Sequence, residues 1–143
     1  MSYSLSQGAR RRLSVQAYAN IGLETQVFSA SPEHLITLLF DGARAAMMKA
    51  RLHMENGNIE GRGMALSKAI DIVDSGLKAS VDQETGGELA RNLVATYELV
   101  IRNLLLANLH ADMEKLALAE QLLGTVAQAW REAVDPVRAE AVG

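Results

Sequence analysis

The three histidines are the residues in this chain best suited to covalent chemistry, and none stands in a setting that would use it. A helical domain that relays phosphoryl groups needs an exposed mid-helix His followed by a Lys and then a Gly. Here His53 is followed by Met54-Glu55-Asn56-Gly57, so the cation that would steady the phosphoryl oxygens is missing. His34 falls in the first turn of a helix, where the dipole disfavours its charged form, and His110 in the last turn of another, where a cation is stabilising. A di-iron bundle would need inward Glu-x-x-His pairs, and the sequence contains none. Gly61-Arg62-Gly63 and Gly86-Gly87 read as interhelical breaks, not as phosphate loops after strands. No nucleophile stands with a base, and the absence of cysteine removes thiolate metal sites and disulfides together. The expectation is a protein that is not an enzyme and uses neither metal nor cofactor.

What remains is non-covalent chemistry, concentrated on one helix from about Gly87 to His110. Leu89, Leu93, Tyr97, Val100, Leu104 and Ala107 recur at three- and four-residue steps and make a core stripe. Ala95, Leu99 and Leu106 form a second apolar run outside it. Between the two lies a row of Asn92, Thr96, Asn103 and His110, spaced by four, seven and seven. An apolar helix face ribbed with amides and a hydroxyl suits a partner that is itself an exposed polypeptide backbone. Asn108, within Leu104-Leu105-Leu106-Ala107-Asn108-Leu109, is expected to tie the helix end to the turn that follows, or else to touch a client.

Four helices must position that face. The first has Ser31 as N-cap, Pro32 at its first position and Glu33 at the positive end of the dipole, and it runs to Glu55 before Asn56-Gly57. It carries two stripes, Leu35, Leu38, Leu39, Ala46, Ala50 and beside them Ile36, Phe40, Ala43, Met47, Met54, which cover more than the roughly 100° a bundle helix needs. The second stripe is expected either to be covered, if the helix is central and touched by both neighbours and by residues 13–28, or to be free for binding, for which Met47, Met48 and Met54 suit an adaptable surface. The second helix opens at Asn58 with a single clean stripe of Ile59, Leu66, Ile70, Val73, Leu77 and Val81. Thr85-Gly86-Gly87-Glu88 has the spacing of a capping box for the third helix. Asp112 caps a fourth, which presents Leu116, Ala119, Leu122, Leu123, Val126 and Trp130 inward and stops near Ala133, before Pro136.

The bulk numbers agree with this plan. At 143 residues the chain is a single domain, able to bury roughly two-thirds of the surface its unfolded form exposes. Hydrophobic residues make up 49% but aromatics only 4%, a balance that favours helix over sheet. The predicted fold is all-α, an antiparallel up-down-up-down four-helix bundle with rods about 35 Å long. A net charge of −3 argues against a nucleic-acid partner, and no run of eighteen apolar residues argues for membrane insertion. Residues 1–12, with Arg10, Arg11 and Arg12, are expected to be a disordered arm. Residues 13–30 read as a lid segment, a short helix and an extended lead-in in which Tyr18, Ile21 and Val27 share a face, and 136–143 as a flexible tail.

With the helices placed, the sequence resembles the flagellin export chaperones of the FliS family. The resemblance spans roughly Ala17 to Ala133 and rests on five pieces in order. These are Ser29-Ala30-Ser31-Pro32-Glu33-His34-Leu35-Ile36 leading into Leu39-Phe40-Asp41-Gly42-Ala43; Leu66-Ser67-Lys68-Ala69-Ile70-Asp71-Ile72-Val73; Gly86-Gly87-Glu88-Leu89-Ala90-Arg91-Asn92-Leu93; Ala107-Asn108-Leu109; and Ala129-Trp130. Where the family often has Leu-Tyr-Asp-Tyr, this chain has Ala95-Thr96-Tyr97-Glu98-Leu99, one aromatic instead of two. The resemblance implies a cytoplasmic bundle that wraps the disordered C-terminal segment of flagellin around itself, prevents premature polymerisation and presents the client to a component of the flagellar export gate. It also implies that the N-terminal segment, with its tyrosine at Tyr18, lies over part of the client surface. The partner-binding residues expected on both grounds are Tyr18, Ile21, Ile36, Phe40, Ala43, Met47, Asn92, Thr96, Tyr97, Leu99, Asn103, Leu106 and Asn108. The alternatives are a structural bundle that homodimerises through the same apolar rows and, behind it, a phosphotransfer-like signalling bundle.

Overall fold

A computed structural model describes residues 31–136. The sequence expectations for 1–30 and 137–143, including the disordered arm, the lid with Tyr18 and Ile21, and the tail, lie outside the described residues. Among the described residues there are four helices: α1 (Pro32–Glu55), α2 (Ile59–Asp71, continuing as a π-helical segment Ile72–Leu77 and a 3-10 turn Lys78–Ser80), α3 (Gly87–His110) and α4 (Met113–Val134). Each packs on the next in sequence, and α4 closes the ring on α1, so α1 and α3 face one another across the bundle. The all-α four-helix bundle expected from periodicity is what the chain forms.

Local chemistry sets most of the boundaries. The Ser31 hydroxyl accepts from His34 N at 3.2 Å, and Asn58 Oδ1 accepts from Gly61 N at 2.9 Å. Asp112 Oδ1 accepts from both Glu114 N and Lys115 N. Gly57 takes the left-handed conformation (φ 70°) after α1, and Ala111 does the same (φ 49°) after α3. A non-glycine residue in that region is uncommon, and here it lets Asp112 follow at once as the next N-cap. Asp112→Ala removes an acceptor serving two backbone donors, so a loss of about 0.5–2 kcal/mol is expected in urea denaturation.

Several sequence expectations are corrected by the structure. Thr85 is not a capping-box residue. Its hydroxyl donates to Asp82 Oδ2 at 2.6 Å, Asp82 Oδ1 accepts from Glu84 N and Thr85 N, and α3 starts behind Gly86 without a side-chain cap. The Thr85 hydroxyl, followed by its backbone N–H, holds the Asp82 carboxyl below its ordinary range. On α2, Ile59 is exposed whereas Ile72, outside the expected stripe, is fully buried. A π turn advances less per residue than an α turn, which brings Ile72, Val73, Gly76 and Leu77 onto one inward face. Gly76 belongs there because a Cβ at that position would lie 2.8 Å from Leu39 Cδ2 on α1. Gly61 and Gly63, read as part of a break, are inside α2.

On α1 the structure decides between the two readings and corrects the assignment of four residues to a free binding face. The second stripe is not free: Ile36, Phe40, Ala43 and Met47 are all buried core residues. Phe40 stacks at a tilt on Trp130, ring centroids 6.5 Å apart, and the Trp130 indole N–H donates to Thr37 Oγ1 at 3.0 Å. A half-buried ion pair between Arg51 and Glu120 holds the other end of α1 on α4. A helix touched by neighbours on two sides needs two stripes, which is why this one has them.

Candidate partner-binding face

The apolar surplus on α3, unlike that on α1, remains in solvent. Leu99 is 46% exposed and Leu106 half-buried, while Tyr97, Val100, Leu104 and Ala107 close the core beneath them. Two contacts mark the α2-facing edge of α3: Lys78 Nζ lies 3.6 Å from Glu98, and the Arg62 guanidinium reaches Asn108. Leu99 and Leu106 project from the far edge, the one shared with α4. On α4 the Arg51–Glu120 pair marks the α1-facing edge, and Leu118 and Leu122 project away from it. The α3–α4 connection is only Ala111-Asp112, so residues equidistant from it lie side by side. That places Leu106 level with Leu118, and Leu99 with Leu122 to Val126.

The result is a shoulder along α3 and α4 bearing Leu99, Leu106 and the exposed Leu118, floored by half-buried Leu122 and Val126. Its polar members are distinct in character. Asn92 is exposed. Thr96, partly exposed, donates its hydroxyl to Asn92 O at 2.9 Å and keeps its lone pairs for acceptance. Asn103 is buried and donates Nδ2 to Leu99 O at 2.9 Å.

The expected site residues therefore divide by location. Asn92, Thr96, Leu99, Asn103 and Leu106 share the shoulder. Ile36, Phe40, Ala43, Met47 and Tyr97 are core beneath or across from it. Asn108 sits on the opposite edge of α3, its Oδ1 accepting from Arg62 Nε at 3.2 Å and its carbonyl from Arg62 Nη2 at 3.0 Å. It ties the end of α3 to α2, not to the turn before α4. Ala95 is exposed as expected, but Leu89, assigned to the core stripe, is open to solvent at the start of α3. Sequence reasoning missed Leu118, Leu105 and Leu109, which are also exposed. Leu118 carried a signal, since it lies one turn before Leu122 at a position the inward stripe of α4 does not need.

Comparison with known proteins places these features in a family. A profile of the family described as "Flagellar protein FliS" matches residues 14–137. The chain is 50% identical over 118 residues to the flagellar secretion chaperone FliS of Salmonella typhimurium, covering 82% of this chain and 87% of that protein. It is 45% identical over 119 residues to the corresponding chaperone of Escherichia coli, covering 83% and 88%. The chain belongs to the FliS family. A third relative, the flagellar secretion chaperone FliSB of Pseudomonas aeruginosa, is 38% identical over 116 residues, 81% of this chain and 91% of its own length. FliS is a chaperone family and not an enzyme family, so the role that comes with membership is chaperoning in flagellar secretion, a task done by surfaces. Among the described residues, no helix is long and apolar enough to cross a membrane.

Proposed function

We propose that this chain binds the disordered C-terminal segment of flagellin in the cytoplasm, prevents its premature polymerisation, and presents it to a component of the flagellar type III export gate. The single observation that carries the reading is the open α3–α4 shoulder, apolar at Leu99, Leu106 and Leu118, in a member of a flagellar secretion chaperone family. A disordered chain lays amphipathic turns against such a surface as a helix does in a groove. Each half-exposed leucine contributes roughly 1 kcal/mol when its remaining area is covered, about half the value for burying a whole side chain. Asn92 and Thr96 offer hydrogen bonds along the same edge. Ile36, Phe40, Ala43, Met47 and Tyr97 act from beneath, keeping the platform rigid. Binding and release need no cofactor, and release follows handover at the gate.

The test is isothermal titration of the full chain with a synthetic flagellin C-terminal segment. The expected result is a 1:1 complex with a negative heat-capacity change, the mark of apolar burial coupled to folding. Absence of binding, together with a stable homodimer in light scattering that added flagellin leaves unchanged, would overturn the reading in favour of self-association through these rows.

A further inference from the structure

We draw no further inference here: the strongest candidate, the exposed apolar patch of Ile59, Met64, Leu105 and Leu109 on the outer face of the α2–α3 pair, carries nothing because nothing in the structure shows what covers it.

Discussion

Replacing Leu99 and Leu106 together by glutamate is expected to abolish binding of a flagellin C-terminal segment while leaving the far-ultraviolet circular dichroism of the bundle intact. Both side chains are open to solvent to a substantial degree before any partner arrives, so charging them leaves the free protein little changed, as is usual for surface substitutions. In a complex the two carboxylates would have to be desolvated against an apolar client. An unpaired buried charge is far more costly than the contact it replaces, so the loss exceeds what truncation to alanine would produce. Co-purification of flagellin with the variant and titration with the synthetic segment are the two measurements. Normal binding by the double variant would show that the client lies on another face, and Leu105 and Leu109 on the outer side of α3 would be the next to charge.

The second large effect is on stability. Leu104 is fully buried in the C-terminal half of α3 and belongs to the continuous core that joins all four helices. Leu104→Ala is expected to cost about 2–5 kcal/mol, the lost transfer energy plus the cavity left behind. Against a total stability of about 5–15 kcal/mol, that is a large share. The chain has one tryptophan, and Trp130 is buried against Phe40 with its indole bonded to Thr37. Urea unfolding followed by Trp130 fluorescence therefore reports the α1–α4 junction, remote from the substitution. A shift in midpoint at constant slope would mean that the bundle unfolds as one unit. Fluorescence and circular dichroism transitions that separate would show that α1 and α4 come apart independently of α3.

The two substitutions also separate the roles of residues only a few positions apart. Leu104 and Leu106 have the same side chain on the same helix, yet one is expected to govern folding and the other binding. The difference is angular: Leu104 points to the bundle axis, and Leu106 to the seam with α4.

Much of this was legible in the residues themselves. Ser31-Pro32, Asn58 and Asp112 announce helix starts because their side-chain oxygens satisfy backbone donors within three residues, an interaction that needs no tertiary context. The core stripe of α3 from Tyr97 to Ala107 and that of α4 through Leu116, Ala119 and Leu123 follow from helical period alone. Family resemblance was equally readable, because it resides in the order and spacing of short segments. The surplus on α3 was legible too, since Leu99 and Leu106 exceed what the core stripe requires.

Tertiary structure alone decided which surplus stays open. Two apolar stripes on one helix mean either a free face or a helix with two neighbours, and periodicity is identical in both cases. Packing on α2 and α4 buries Ile36, Phe40, Ala43 and Met47, while the edge of α3 beside α4 remains exposed at Leu99. The π turn at Ile72–Leu77 belongs to the same class, because Leu39 of α1 packs closely against it at Gly76. A sequence specifies which side chains need cover through local and periodic interactions. What covers them is set by contacts between residues far apart in the chain, and that assignment exists only in the folded bundle.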